Sequence, residues 1–480
     1  MKKKGFTLIE LLAVIVILAI IALIIVPVVA NIIESARFGA AKDSVLEYVH
    51  SANQYGALSL AGVSDEGLTI NGTLESGVND SELEKIKYSG TKFDYIYMLF
   101  DESNNVINGS FCINGYSIDY LYGDVTKSVG YCNEQAGLYD ENSKLIKTWD
   151  ELVSLGCNIS ERKDAGSKSC GEVINDVLGT KKGKLVIPSS VTAIGENQFS
   201  GASNLIGIKL PKSLVSIKSG AFNRTSLSIV NIPDSVTELG ANVFGESSVK
   251  FIKVGEGVTV IPNSFAFSTK SLEKVILGSN VVEIEREAFN VSNLKDINFP
   301  SSLKKIGREA FGTTNLEEVN LPDNMELVDT NAFRGMPNLT KVSFGKIDTV
   351  GQKVFAENVS LSDITIREGV QIIGNGMFMG AYGTPNAKIV NVTLPSTITT
   401  IDVNAFQYTG LETINIPSNV TKIGSMTFGQ TNLKSVKFDD NSSWSGVRVG
   451  TGASATFTPT TESENANYLM GDGRFYTWTK

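Results

Sequence analysis

Hydrophobic positions along this chain follow one rule at its start, another in its middle and a third over its second half, and each rule predicts a different element. From Phe6 to Val26 the residues are almost uninterruptedly apolar, Glu10 being the exception near the start, and the run continues past Pro27 through Val28, Val29 and Ala30. A bilayer core takes about 20 apolar residues in helical form, so this stretch predicts a transmembrane helix. Beyond it Ile32, Ile33, Ala36, Ala41, Val45, Val49 and Ala52 recur at helical spacing among Glu34, Arg37, Lys42, Asp43 and Glu47. That pattern predicts an amphipathic continuation packed on a globular head. Pro27 should kink or loosen the join, because it lacks an amide donor and crowds the preceding turn.

The middle of the chain changes period. Lys92 to Phe100 (KFDYIYMLF) and Gly109 to Tyr122 (GSFCINGYSIDYLY) are rich in aromatic and β-branched residues and carry Asn-Gly punctuation, which predicts antiparallel strands. Thr148 to Leu155 (TWDELVSL) has the composition of a short capped helix leading to Cys157, and the polar stretch Ser160 to Ser169 reads as a loop.

Over the second half a block recurs. Leu185-Val186-Ile187-Pro188 is followed by Val191-Thr192-Ala193-Ile194-Gly195 and Phe199, and the same order returns at Ile208 to Pro211 with Ala221-Phe222. Phe199, Phe222, Phe244, Phe289, Phe311, Phe333 and Phe355 keep one register, except that Ala266 occupies it between Phe265 and Phe267. After Phe378 the next is Phe406, so an insertion near Ala381 to Lys388 lengthens one turn. Such self-similarity predicts a solenoid, because a unit this short buries its apolar face only against its neighbours. In the strand pattern L-x-x-V-x-L, Leu316, Val319 and Leu321 should point inward. Glycine after isoleucine, as in Ile306-Gly307 and Ile423-Gly424, should permit a turn that a side chain hinders. Between the inward residues stands an outward column: Lys209, Asn231, Lys253, Ile276, Asn298, Asn320, Ser343, Thr365, Thr393, Asn415 and Lys437. Stacked, it makes a mostly polar strip and the candidate ligand face; the bland alternative is that an exposed strand position is simply polar. The tail from Asn441, with Trp444 and Trp478, has no repeat and is expected to cap the last coil, a separate binding module being the lesser alternative.

The start of the apolar run carries a more specific signal. Lys2, Lys3 and Lys4 precede Gly5-Phe6-Thr7-Leu8-Ile9-Glu10, and this resembles the prepilin signal of type IV pilins and pseudopilins. The resemblance implies cleavage between Gly5 and Phe6 by a membrane aspartyl prepilin peptidase that also methylates Phe6. It implies further that Glu10 registers one subunit on the amino terminus of the next. A carboxylate at membrane depth costs about 2.5 to 3.5 kcal/mol on insertion scales, which itself argues for a partner; Thr7 and Glu10 also have capping-box spacing. The repeats, over roughly Lys184 to Asp440, resemble the BspA-type leucine-rich repeats of bacterial surface proteins. They lack the asparagine ladder of the better-known leucine-rich pattern, so a horseshoe backed by helices is not implied.

Composition trims these readings. With 480 residues more than one domain is expected. A net charge of -9 speaks against a nucleic-acid surface, and no nucleic-acid partner is expected. The amino-terminal lysines favour a cytoplasmic start, which sends the rest outward to where disulfides persist. Cys112, Cys132, Cys157 and Cys170 are the disulfide candidates; sequential pairing is the simplest connectivity, and the sequence leaves the others open. Without a C-x-x-C a zinc site is disfavoured. The single histidine, His50, supports neither a catalytic triad nor a metal cluster and should lie on a helix surface. Glu317 with Glu318 and Asp439 with Asp440 read as solvated charges, and Gly471-Asp472-Gly473 as a turn. No enzyme, cofactor or metal is expected.

The fold class expected is therefore an α+β pilin-like head on a long amino-terminal transmembrane helix, followed by a β-rich leucine-rich-repeat solenoid. Its domains are 1–60 (leader, transmembrane and amphipathic helix), 61–180 (head with four cysteines), 181–440 (solenoid) and 441–480 (cap). The expected protein is a minor or tip pilin-like subunit, a single-pass membrane protein before assembly and then displayed at the cell surface or pilus. Its expected partners are the prepilin peptidase, other pilins with their assembly machinery, and an extracellular protein or glycan. A pseudopilin-like component of a secretion or DNA-uptake machine is the alternative.

Overall fold

The computed structural model describes residues 36–37, 39–54, 73–75, 86, 93, 95–100, 106–113, 116–121, 124–127, 135–141, 144–160, 168–323, 325–383 and 388–480. The transmembrane helix expected over Phe6 to Val26 and the kink at Pro27 lie outside them. Among the described residues no helix is long and apolar enough to cross a membrane. The chain divides after Gln135 into two compact units.

In the first unit, helix α1 (residues 39–54) accompanies the antiparallel meander β1 (Thr73–Glu75), β2 (Tyr95–Phe100), β3 (Val106–Ile113), β4 (Tyr116–Leu121) and β5 (Asp124–Lys127), ordered as in the chain. The helical period is what buries one face of α1. Ala41, Val45, Tyr48, Val49 and Ala52 share a core with Phe93, Ile96, Met98, Val106, Phe111, Ile118 and Tyr120. Tyr48 meets Phe93 edge-on at 5.0 Å, and the Val106 N–H donates to Asn53 Oδ1 at 2.6 Å. Ala36 and His50 are exposed. The antiparallel strands expected within Gly109 to Tyr122 are found, its described residues contributing to both β3 and β4, which pair antiparallel.

The second unit begins at Ala136, so the boundary expected at 180 moves. The physical reason is pairing that sequence spacing does not reveal. β6 (Gly137–Asp140) lies antiparallel on β8 (Gly183–Val186), with β7 (Leu145–Thr148) on its other side. Leu138, Leu152, Ile159, Val173, Ile174 and Leu178 join the solenoid core rather than the head's. The four cysteines are thereby separated: Cys157 and Cys170 belong with the repeats.

Each coil of the solenoid contributes two short strands, one more than expected. An outer ladder holds the strands that lead into Ile/Leu-Pro or, in some coils, Val/Leu-Gly, such as Ile229–Asn231, Phe251–Lys253 and Lys274–Ile276, all parallel. An inner ladder holds a second set of short strands, such as Glu283–Ile284, Lys305–Ile306 and Met325–Val328, in some coils directly before a glycine, as at Gly307. Leu316, Val319 and Leu321 are buried, as their pattern requires. Between the ladders the chain turns around a column of phenylalanines whose successive rings, from Phe289 to Phe378, lie stacked 5.1 to 5.9 Å apart. Ala266 does occupy the phenylalanine register, since its N–H donates to Ala288 O as that of Phe289 does to Ala310 O. Phe265 fills the vacancy by swinging in edge-on, 5.3 Å from Phe244 and 6.0 Å from Phe289.

Glycine after isoleucine serves a different purpose from the one its position suggests. A Cβ at Gly307 would lie 2.7 Å from Arg286 N, and at Gly424 2.3 Å from Val403 N, both atoms of the preceding coil's backbone. Close approach between coils, not a left-handed turn, demands the glycine. Left-handed residues occur instead in the phenylalanine turn, and few are glycine: Val291 at φ 59°, Thr313 at 56° and Tyr408 at 59° are examples.

Each end of the solenoid core is covered by residues from outside the repeats. At the start β6 covers β8, the Gly171 N–H donates to Gln198 O at 2.7 Å, and the Gly195 N–H donates to Ile159 O at 2.8 Å. Helix α2 (Trp149–Ser154) is capped by Thr148 and α3 (Cys170–Leu178) by Ser169, each with a capping box. The Cys157–Cys170 disulfide ties the α3 start to the segment that meets the first coil. At the far end Tyr476–Thr479 lies antiparallel on Lys422–Ile423, and the Met426 N–H donates to Arg474 O. Helix α4 (Glu462–Met470) sends Asn465 Nδ2 to Val436 O at 3.1 Å. Trp444, Phe457, Tyr476 and Trp478 are buried in the shared core, so the tail is a cap. Lys480 Nζ meets Asp440 at 2.8 Å, and that hydrogen bond, with those from Ser442, holds the Asp440 carboxyl down to about 2.

Candidate binding face

Side chains alternate across a strand, so the outer-ladder strands turn the positions on either side of a buried residue outward, Phe251, itself buried, being an exception. The expected column occupies one of them. The structure aligns Asn231 with Lys253 and Ile276, Asn320 with Ser343 and Thr365, and Asn415 with Lys437, in direct register. Lys209, Asn231, Lys253 and Ile276 are half-buried, whereas Asn298, Asn320, Thr365, Thr393, Asn415 and Lys437 are exposed. The accessible part of the face is therefore its second half.

Several members are already engaged. Asn298 replaces a backbone rung: its Oδ1 accepts the Leu277 N–H at 2.7 Å, and its Nδ2 donates to Leu277 O at 3.0 Å. Arg367 reaches back over two coils, donating to Ser343 Oγ at 2.8 Å, Asn320 Oδ1 at 3.2 Å and Asp323 Oδ1 at 2.8 Å. This guanidinium covers Ser343 and makes the middle of the face a fixed polar cluster. Thr365 and Thr393 present hydroxyls to solvent, and Asn415 Nδ2 donates to Asp439 at 3.0 Å.

The second outward column went unnoticed in the sequence: Lys274, Asp296, Glu318, Lys341, Asp363, Asn391, Thr413 and Ser435. Its signal was available, two residues before each member of the first. As far as Asp363 it carries charges of both signs. Lys274 pairs with Asp296, and Lys341 with Glu318 at 3.0 Å; the hydrogen bond it donates to Glu318, then the carboxylate's charge, raises the Lys341 ammonium above the usual lysine value. From Asn391 onward it turns neutral, with Thr413 donating to Asn391 Oδ1. The open end of the face thus presents hydroxyls and amides, flanked by Lys437 with Asp439 at 3.8 Å. Such groups bind by hydrogen bonding. Among the described residues no cluster of His, Cys, Asp and Glu side chains is arranged to hold a metal. Asp472 pairs with Arg448 at 3.3 Å in the turn Asp472–Phe475.

Gly5, Phe6, Glu10 and Cys132 lie outside the described residues, and Cys112 falls within β3. Cys157 and Cys170 are bonded, with Cα atoms 4.3 Å apart.

The BspA type leucine-rich repeat region matches residues 179–295, 261–384 and 379–447, in six copies, and the prokaryotic N-terminal methylation motif matches residues 1–26. No curated protein matches the chain. Among solved structures it is similar to a leucine-rich repeat protein from Bacteroides ovatus, at 20% identity over 68% of this chain and 94% of that one, with a TM-score of 0.41. It is also similar to a leucine-rich cell surface protein from Faecalibacterium prausnitzii, at 23% identity over 54% and 79% of the two chains, with a TM-score of 0.30. The repeat match spans most of the second compact unit and the methylation motif stands at the opposite end: this chain belongs to the BspA-type leucine-rich repeat proteins and opens with a prokaryotic N-terminal methylation motif.

Proposed function

We propose that this protein is a pilin-like surface subunit that displays its repeat domain to bind an extracellular protein or glycan. The observation that carries the proposal is the methylation motif at residues 1–26 on the same chain as the repeats at 179–447. Prepilin peptidase cuts after Gly5 and methylates Phe6; the apolar segment then holds the subunit in the membrane until the assembly machinery takes it up. Glu10 registers it on a neighbouring pilin. A domain this bulky does not pack on every subunit of a thin fibre, so the protein is a minor or tip subunit rather than the principal one. It works by binding, not catalysis, through the open half of the outer ladder around Thr365, Thr393 and Asn415.

Immunogold labelling of cells tests the location: label along or at the tip of extended fibres is expected, and label confined to the envelope contradicts the reading. The binding face has its own test. Thr393→Glu with Asn415→Glu puts charge on two exposed positions and is expected to weaken capture of matrix proteins or glycans by at least about tenfold, about 1.4 kcal/mol, without shifting Tm. Unchanged capture by a folded variant places the ligand elsewhere.

A further inference from the structure

Among the described residues no strand pairs with the outer edge of the carboxy-terminal cap's sheet. Ser454–Phe457 is the outermost strand of a six-stranded sheet that runs from the inner ladder through Tyr476–Thr479 and Trp444–Arg448. Its register sets Phe457 against Trp444, Thr456 against Ser445, Ala455 against Gly446 and Ser454 against Val447. Just beyond, the Arg448 N–H donates to Ala453 O at 2.8 Å. Hydrogen-bonded and non-hydrogen-bonded pairs alternate along an antiparallel ladder. Counting from that bond, Ala455 and Phe457 bond to the neighbouring strand, while Ser454 and Thr456 turn their backbone N–H and C=O groups away from it. Both residues are exposed.

Natural edges are usually guarded by lysine, proline or a covering element. The strand at the other end of the unit follows that habit, since β7 carries Lys147 and is preceded by Lys144. Here no charged residue stands between Arg448 and Glu462, and Pro459 comes only after the strand ends. The same hairpin leaves Val447 56% and Val449 62% exposed.

We propose that a second copy of this chain docks on the edge, the two Ser454–Phe457 strands pairing antiparallel about a two-fold axis at Ala455. The parity of the strand admits this occupant, and the uncharged edge favours it. Outward-bonding groups must face outward-bonding groups, which sets Ser454 opposite Thr456 of the second copy and Thr456 opposite its Ser454. Ala455 then faces itself in the closely spaced pair, with Cα atoms about 4.5 Å apart, where a small side chain fits. An uncharged edge is also what a two-fold pairing needs, because any lysine or glutamate near the axis would meet its own like charge. One short strand makes a weak contact by itself, and it strengthens where many copies stand side by side on one surface.

Sedimentation of the full-length chain in detergent micelles, across a concentration series, tests the pairing with Thr456→Pro and Thr456→Lys. Proline at 456 removes an N–H that points away from Trp444–Arg448, so the hairpin keeps its own bonds. The wild type is expected to form a concentration-dependent dimer in which the Ser454 and Thr456 amides gain protection from hydrogen exchange. Both variants are expected to raise its dissociation constant at least about tenfold, with Tm unchanged. A wild type that stays monomeric overturns the proposal. So does a dimer that both folded variants form as tightly, since that association runs through another surface.

Discussion

Phe311→Ala is expected to destabilise the solenoid by about 4 kcal/mol, the range for deleting a fully buried phenylalanine. The ring is fully buried, stacked on Phe333 at 5.1 Å and on Phe289 at 5.3 Å, and Phe299 meets its edge at 5.5 Å. These neighbours are held by the coils above and below, whose main chains are bonded to that of Phe311: its N–H donates to Ala332 O, and the Phe289 N–H to Ala310 O. The cavity therefore stays largely open. Stability in a repeat array is a sum of unit and interface terms, so a lost central interface also uncouples the flanking coils. Urea unfolding should show both a lower midpoint and a broader transition. A loss under about 1 kcal/mol would mean that the column is filler rather than the spine of the fold.

Gly351→Ala is the next largest, at about 3 kcal/mol, the upper part of the range for overpacking. A Cβ there would lie 2.2 Å from Thr330 N and 2.4 Å from Asp329 C. Neither atom can yield, because the Gly351 N–H donates to Val328 O at 2.8 Å and fixes the spacing of the two coils. Ala substituted at Gly207, whose added Cβ would come no nearer than 3.4 Å to the flexible Lys184 side chain, is the matched control. Equal effects at the two sites, read by the same unfolding curves, would contradict close approach as the reason for the glycine.

What the sequence showed and hid follows from how each element is specified. Local periodicity reveals whatever repeats: the inward positions of L-x-x-V-x-L, the phenylalanine register and even the misfit at Ala266 were readable. The inner ladder was not, because strands of two residues such as Lys305–Ile306 carry no period of their own. Pairing between distant segments was equally hidden. Nothing in Gly137–Asp140 announces that its partner is Gly183–Val186, so Cys157 and Cys170 were assigned to the head when they close the solenoid. The glycines were recognised and misexplained, since only the neighbouring coil shows what a side chain would strike. On the binding face the outward column was legible from alternation. Arg367 was not, because its reach over two coils depends on stacking that only the folded chain supplies.

The second unit is capped at both ends by its own residues. Its caps and ion pairs explain stability. They do not explain delivery to a surface, which rests on the motif at residues 1–26.

The most direct measurement of that central claim is the mass and sequence of the mature amino terminus, taken from the protein isolated from its own membrane. A chain that begins at Phe6 and carries one added methyl group on its amino nitrogen is expected, with Gly5→Leu leaving the uncut precursor. A mature protein that retains Met1 to Gly5, or is cut at another site, contradicts the claim.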